Sequence, residues 1–460
     1  MMRGIDRIVL LLGVLLRLYL ALVNAEANDD HLTVIRIIAD EHRLPGLREA
    51  WEGFQPKLYH ASVALLWDLS PWQTSIVRVR IAQLLSCAAG IATLIVIHRA
   101  LMRRNLSPQI RTLAFSLVAL NPTLIGLNAQ ATNDSFVILF GSLSIVGASQ
   151  FFRSGTRRDF LLMTISVVLA VLSKGNGLVL FGAITATLAY AVVRRHVGSG
   201  LLRDRRLPSM AAFVGIVAIS VTALGSYEAN WRDTGNPFAI NGDRAPLPHF
   251  FERTYVYRPG VTSIADSYFT FRLVDMLQHP AVSNDLAVYP LHRTSLWSQL
   301  YGRGQNVHFA QHPPSWKNTT PLVSTTTRLI LLFGLLPMAF VIVGMLRAVI
   351  APLTKGGSPQ TGSPGEKLGA GMLAMVAWGF TAFIILYSLS YRDFSTMKAE
   401  FLFPGLLAYV LFFATESERV EGAYRSWHTL RAAVRWAYVL LLSLYVTDVA
   451  ILAYQLTLRG

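Results

Sequence analysis

Cysteine and charge are both scarce in this sequence. A single cysteine, Cys87, stands among 460 residues, so no intramolecular disulfide can staple the loops between helices. Charged residues make up only 15% of the chain against 53% hydrophobic ones. At a mean hydropathy of +0.44, that leaves far more apolar surface than a soluble core can bury. An ordinary soluble enzyme is excluded, and lipid has to be the solvent. Negative charge is the rarer sign, with 26 Asp and Glu against 41 Lys and Arg and a net charge of +15. In a soluble chain that excess points to nucleic acid; here its distribution along the chain argues against a nucleic-acid partner. The sequence also lacks an internal repeat of fixed period and any inverted pairing of its hydropathy pattern, which disfavours the common transporter architectures.

What the chain has in quantity is apolar runs of the length that crosses a bilayer, about 20 residues each. Eleven spans are expected, at 5–23, 79–98, 112–128, 134–152, 159–173, 177–193, 208–226, 327–346, 369–390, 400–415 and 436–456. The fold class is therefore an all-α polytopic membrane protein. The first run sits behind Arg3 and Arg7 like a signal peptide, but its far end continues into polar, acidic sequence without a small-residue cleavage site, so a retained first helix is expected. The fifth and sixth runs are short and flank Ser173-Lys174-Gly175-Asn176-Gly177, the pattern of a tight helical hairpin or a re-entrant pair.

Basic residues fall in every second loop. Arg99, Arg103, Arg104 and Arg111 share one; Arg153, Arg157 and Arg158 the next on that side; Arg194, Arg195, Arg203, Arg205 and Arg206 a third. Arg347, Lys355 and Lys367, then Arg419, Arg425, Arg431 and Arg435, complete the series. Because cytoplasmic loops carry the excess of Lys and Arg, residues 24–75, 129–133, 174–176, 227–325 and 391–399 are expected outside. A Gly/Ser/Pro-rich stretch from Lys355 to Lys367 reads as a cytoplasmic tether. Three parts follow: an N-terminal transmembrane module over 1–226 that includes the first outer loop 24–75, a long extracytoplasmic loop 227–325, and C-terminal transmembrane helices over 326–460. Long loops in an otherwise tight bundle are usually functional, which directs the search for chemistry to that face.

The first outer loop opens with Asn28-Asp29-Asp30-His31, a carboxylate pair at the membrane boundary where like charge is costly. Glu52-Gly53-Phe54-Gln55-Pro56-Lys57-Leu58-Tyr59-His60 then leads into a stretch whose Leu58, Ala61, Leu65 and Leu69 recur at helical spacing, as in a helix lying in the interface. Asn121-Pro122 and Asn133-Asp134 bracket the next outer turn, while Lys174, Arg392 and Lys398 lie in short outer loops. Arg17, midway along the first run, would cost about 2.5–3.5 kcal/mol facing lipid and is expected to face the bundle. In the long loop, Tyr255, Tyr257, Arg258, His292, Arg293, Trp297 and Tyr301 interleave aromatic and polar groups, a composition that suits sugar stacking and membrane anchoring equally well. Histidines on this side show no tight ligand spacing, and no metal or other cofactor is expected.

In this order and on one face, the elements resemble the polytopic glycosyltransferases of the GT-C fold, the superfamily of protein O-mannosyltransferases and lipid A aminoarabinose transferases. The matching pieces are Asp29-Asp30 after the first span, Gln55-Pro56-Lys57-Leu58-Tyr59 on the interfacial helix, Asn121-Pro122 with Asn133-Asp134, the Ser173 to Gly177 hairpin, and Lys398-Ala399-Glu400-Phe401-Leu402-Phe403-Pro404. Asp30 stands where the family often has Glu, and Lys57 where it has a second proline. The likeness is best over 1–190 and thin over 230–325.

The resemblance implies a sugar on a polyprenyl phosphate as donor, an extracytoplasmic glycan, lipid or protein as acceptor, and inversion at the anomeric carbon. It places the protein in a bacterial inner membrane with its active site toward the periplasm. Asp29, Asp30 and Asp134 are then the candidate catalytic carboxylates, with Asp29 as general base. Gln55, Lys57, Tyr59, His60, Lys174, Arg392 and Lys398 are the candidate substrate-binding residues. The competing readings are a transporter or flippase of lipid-linked sugars and a structural scaffold of the cell envelope. The charges gather at one face rather than along a midplane path, which speaks against the transporter. A reporter inserted within 355–367 should read as cytoplasmic and one within 305–315 as external, and the opposite pair of results would invert the orientation.

Overall fold

The computed structural model describes residues 4–27, 30–196, 206–239, 263–280, 290–309, 314–350, 364–390, 396–424 and 426–459. All regular elements among them are helical. In chain order the helices are α1 (Gly4–Val23), α2 (His31–Glu41), α3 (Leu58–Leu69), α4 (Ser75–Met102), α5 (Pro108–Ala119), α6 (Pro122–Asn128), α7 (Asp134–Ser154), α8 (Arg157–Ser173), α9 (Leu178–His196), α10 (Arg206–Leu224) and α11 (Tyr227–Thr234). Three short helices follow, α12 (Ile264–Tyr268), α13 (Leu273–Gln278) and α14 (Leu296–Gln305), and then α15 (Pro321–Phe333), α16 (Leu335–Ile350), α17 (Pro364–Ser390), α18 (Leu406–Ala423) and α19 (His428–Arg459).

Six stretches among the described residues are long and apolar enough to cross a membrane: α4, α7, α9, α15 with α16, α17 and α19. Two bent pairs bring the number to eight, α5 with α6 at 48° and α10 with α11 at 59°. The protein is an integral, multi-pass membrane protein. The expected eleven spans are not all met by this measure, and the shortfall has physical causes. α1 carries Asp6, Arg7 and Arg17, α8 has only 17 residues, and the second half of α18 contains Glu416, Glu418, Arg419 and Glu421. The tether expected from Lys355 to Lys367 gives way to helix at Pro364, the start of α17. Proline suits a first helical turn, where its missing N–H would have had no partner.

α7 and α8 pack most intimately. A Cβ built on Gly147 of α7 would stand 2.6 Å from the backbone nitrogen of Met163 on α8, so the two backbones touch and only glycine fits. The break between α5 and α6 follows from Asn121-Pro122: the proline interrupts the hydrogen-bond ladder, and the Asn121 side chain restarts it by accepting from the Leu124 N–H at 2.9 Å. Arg17 does face the bundle. It is 1% exposed and ties three helices together, donating from Nε to Asn128 Oδ1 at 2.9 Å and from Nη1 to the carbonyls of Ala119 at 2.6 Å and Gly13 at 3.0 Å. Surrounded by lipid, such groups have to be satisfied within the protein.

Between α1 and α4 the chain forms a cap of two helices, α2 and α3, packed on each other. α3 spans Leu58–Leu69 as the periodicity suggests, with Leu65 and Leu69 on its exposed side. Its protein-facing side is the other one, built from Tyr59, His60, Val63, Ala64 and Trp67. Replacement of Arg17 by Met keeps length but removes every donor, stranding Asn128 Oδ1 and the Ala119 carbonyl. The loss expected in detergent unfolding is about 2–4 kcal/mol, and an unchanged unfolding midpoint would show that this arginine does not hold α1 in place.

Candidate functional site

The helical ladder of α8 stops at Ser173 because Lys174 is extended, with φ −157° and ψ 144°, and one 3-10 turn over Gly175–Gly177 restarts the chain into α9. A Cβ on Gly177 would fall 2.6 Å from the Ala170 carbonyl oxygen, so the hairpin closes this tightly only with glycine there. Closure turns the Lys174 side chain into the protein, leaving the residue 8% exposed. Its Nζ donates to Asp134 Oδ1 at 2.7 Å and lies 5.3 Å from the centre of the Phe401 ring. Asp134, the first residue of α7, accepts on Oδ2 from Thr132 Oγ1 at 2.9 Å. Its neighbour Asn133 donates to the Ser173 carbonyl at 3.0 Å, and Asn176 of the hairpin donates to the Phe401 carbonyl at 3.4 Å. The Asn-Asp pair thus divides its work: Asn133 fixes the end of α8 and Asp134 holds the lysine.

The cap approaches from the other side. Asp30 Oδ2 accepts from the Trp51 N–H at 2.7 Å, pinning the start of α2 to the loop before α3. His31, the first residue of α2, meets His60 of α3 with Nδ1 and Nε2 3.0 Å apart. Both rings are buried. Lys57, just ahead of α3, turns its ammonium onto the carbonyls of its own loop, Gly53 at 2.6 Å and Gln55. Burial lowers the Lys57 amine to about 7, against a smaller opposing pull from Glu52. His60 is held below its usual range, first by burial, then by the charges of His31, Lys57 and, more weakly, Lys174, with the Pro56 backbone opposing.

The expected site residues divide accordingly. Lys57, His60, Asp134 and Lys174 come together, and Asp30 is joined to them through His31. Lys398 is half-buried directly ahead of the 3-10 turn Ala399–Phe401, whose aromatic ring lies beside Lys174. Gln55 is buried and its carbonyl, besides serving Lys57, accepts from Ser226 Oγ at 3.1 Å. Tyr59 points elsewhere: its hydroxyl donates to the Ala82 carbonyl of α4 at 3.0 Å and receives Ser86 Oγ at 3.2 Å, anchoring α3 rather than facing the lysines. Asp29 and Arg392 lie outside the described residues, as do Tyr255, Tyr257 and Arg258 of the long loop.

Two participants go unmarked in the sequence reading. His31 appears there only as the residue after the acidic pair, and nothing in its spacing to His60 signals a contact across 29 positions. Asn24, at the end of α1, is fully buried. It donates to the Ala129 carbonyl at 3.1 Å, accepts on Oδ1 from Trp316 Nε1 at 3.2 Å, and its backbone carbonyl receives Gln83 Nε2 at 3.0 Å. It thereby locks the root of the acidic loop to α4, to α6 and to the return of the long loop. Among the described residues, no three or more His, Cys, Asp or Glu side chains are grouped to hold a metal ion.

Residues 54–225 match the family model of dolichyl-phosphate-mannose-protein mannosyltransferase. That segment contains Gln55, Lys57, Tyr59, His60, Asp134 and Lys174 and begins after the acidic turn. No curated protein matches the chain in sequence. Among solved structures, the apo oligosaccharyltransferase of Archaeoglobus fulgidus is 13% identical with a TM-score of 0.48, over 98% of this chain and 56% of that one. The archaeal oligosaccharyltransferase AglB from Archaeoglobus fulgidus in complex with an inhibitory peptide and a dolichol-phosphate gives 13% and 0.47, over 97% and 55%. ArnT from Cupriavidus metallidurans bound to undecaprenyl phosphate gives 12% and 0.35, over 89% and 76%. The chain spans about half the length of the oligosaccharyltransferase. Over residues 54–225 it is similar to the dolichyl-phosphate-mannose-protein mannosyltransferases.

Proposed function

We propose that this protein is an inverting glycosyltransferase that moves a sugar from a polyprenyl-phosphate donor to an acceptor hydroxyl on the extracytoplasmic side of the membrane. The observation that carries the reading is the buried Lys174–Asp134 pair at 2.7 Å, set beside the Phe401 ring and within electrostatic reach of His60 on the α2–α3 cap. A lysine kept this far from water is expensive to hold and is retained where its charge is used. The ammonium has three N–H groups and Asp134 takes one.

The reaction needs a base and a cation. The acceptor hydroxyl attacks the anomeric carbon and gives its proton to a carboxylate, Asp29. The bond from that carbon to the phosphate oxygen breaks with its electron pair passing to the phosphate, which goes from a diester monoanion toward a monoester dianion. Lys174 meets the growing charge, and a fixed cation in a site shielded from water stabilises it more than bulk solvent does. Asp134 keeps Lys174 aimed while no phosphate is present. One displacement on one base inverts the anomeric centre, with no enzyme nucleophile required. Lys398, beside the Phe401 turn, supplies further positive charge at the same junction.

Purified protein given a labelled polyprenyl-phosphate sugar and envelope acceptors should form product. Asp29→Asn should cut turnover by at least ~10²-fold while donor binding survives, because the amide cannot accept the proton. Lys174→Ala should weaken donor use as well as turnover, since the phosphate is present in both ground and transition states. Wild-type kinetics in both variants would remove base and cation from these residues, and absence of any transfer by the wild type would end the reading.

A further inference from the structure

One stretch of the long loop turns its side chains the wrong way round for a segment in water. Between residues 263 and 280, Phe269 is 83% exposed and Val274 70%, and Ile264 and Phe271 are exposed as well. The charged groups of the same stretch are engaged within the protein instead. Asp266 pairs with Arg272 at 2.8 Å and also accepts from Ser263 Oγ at 2.9 Å, and Asp275 Oδ2 accepts from the His292 N–H at 2.6 Å. Large apolar side chains left out together in one short stretch mark a surface that meets something other than water.

Two tethers fix the level at which this stretch lies. The Tyr268 hydroxyl is 3.0 Å from Ser388 Oγ, and Ser388 belongs to Gly365–Leu389, an apolar stretch long enough to cross a membrane. The Leu277 carbonyl accepts from Arg328 Nε at 2.7 Å. Arg328 lies inside another such stretch, Pro321–Ile350, about 10 Å along α15 from its first residue at 1.5 Å rise per residue. The loop segment therefore runs alongside the ends of α15 and α17 rather than standing off from them. Leu322 on α15 and Leu386 and Leu389 on α17 are themselves exposed there, as side chains facing acyl chains are.

A segment beside lipid has to satisfy its backbone from within the protein. The N–H groups of Ser267, Phe269, Met276 and His279 close turns onto the carbonyls of Ser263, Ala265, Arg272 and Asp275. The start of α14 supplies three more bonds: Trp297 Nε1 donates to the Tyr268 carbonyl at 2.7 Å, Ser295 Oγ donates to the Thr270 carbonyl at 2.6 Å, and Ser298 Oγ accepts from the Arg272 N–H at 2.8 Å. Trp297 and Tyr301, whose composition suits anchoring or sugar stacking, are thus spent inside. Trp297 holds Tyr268, and Tyr301 is buried with the Phe271 ring 5.5 Å away.

We propose that residues 264–274 dock onto the bilayer, with Phe269 and Val274 inserted among the acyl chains at the level where α15 and α17 end, and with α12 and α13 lying in the interface. A sugar needs hydrogen-bonding groups beside a ring, and Asp266, Arg272 and Asp275 are already engaged. The patch continues the exposed apolar surface of α15 and α17, so the bilayer that covers those helices reaches it without a second chain. The anchor also sets the height of α14, which hangs on it by three bonds and whose Gly304 lies against Ala399 of the Phe401 turn. Docking of this kind does not depend on sugar transfer, and its test reads no turnover.

Cys87, the one cysteine of the chain, is buried, so a cysteine placed at an exposed position takes a nitroxide label selectively, with the unsubstituted protein as background. Phe269→Cys and Val274→Cys are labelled and reconstituted into phosphatidylcholine vesicles. Ile219→Cys, on the exposed side of α10, serves as the lipid reference, and Arg48→Cys, exposed in the loop before α3, as the water reference. Electron paramagnetic resonance then reads collisions with oxygen, which concentrates in lipid, and with a water-soluble nickel chelate. Labels at 269 and 274 should gain oxygen collisions and lose nickel collisions relative to 48, approaching 219. The unsubstituted protein, in vesicles whose acyl chains carry a diazirine, should on illumination take adducts within 264–274. Nickel access at 269 and 274 equal to that at 48, shielding from both reagents as under a second chain, or adducts confined to the membrane-spanning helices would each overturn the proposal.

Discussion

A buried ammonium facing a buried carboxylate organises this end of the bundle. Lys174 is held by Asp134 at 2.7 Å with both residues less than a tenth exposed, and neither group can be left alone in a lipid-surrounded protein without a cost of several kcal/mol. Satisfying them dictates much of what lies nearby. α8 must end at Ser173 so that Lys174 can turn inward, and the turn must be glycine-rich to close. α7 must begin at Asp134 beside it. The Phe401 turn must come near enough to cover the ammonium with its ring. Arg17 plays a similar part deeper in the bundle, where its contacts to Asn128 and Ala119 fix α1, and with it the root of the acidic loop, against α5 and α6. Two buried cations therefore account for where the first loop starts and for what it faces.

Much of the helical layout is legible in the sequence because lipid reduces the choice of backbone to helix and reduces its length to the bilayer's thickness. The runs from 134 to 193 reappear as α7, α8 and α9 with ends displaced by at most a few residues, and Asn121-Pro122 bends its helix where a proline must. Counting spans is less secure, because a count relies on hydropathy whereas α1 and α18 owe their charged residues to partners. Asp6, for instance, accepts from Thr112 Oγ1 at 2.6 Å, and Glu416 pairs with Arg347 at 3.1 Å. Those partners lie far away in sequence, and no window of neighbouring residues contains them. For α3 the apolar spacing marks the helix correctly, but the side that meets the protein is the one bearing Tyr59, His60 and Trp67.

The candidate site was legible as a set of residue types and much less so as a geometry. Lys174 in its glycine-rich hairpin and Asp134 after Asn133 stand out by motif, and the fold brings them into direct contact. Lys57 and Tyr59 stand in the same run of sequence yet are committed differently, one to the carbonyls of its own loop and the other to α4. A motif records that a residue is present and leaves its rotamer open. His31 and Asn24 show the reverse: their neighbours in sequence are unremarkable, and their importance arises from long-range partners, His60 for one and Ala129 and Trp316 for the other.

Common to this account is that Lys174 receives the phosphate of a lipid-linked donor. A structure of the protein bound to a polyprenyl phosphate tests that most directly. The account predicts a phosphate oxygen within about 2.7–2.9 Å of Lys174 Nζ, the range of a charge-assisted hydrogen bond, with the polyprenyl tail leaving between the helices into lipid. A phosphate seated among the basic loops at the other end of the bundle, or on the loop face but beyond the reach of Lys174, would contradict it.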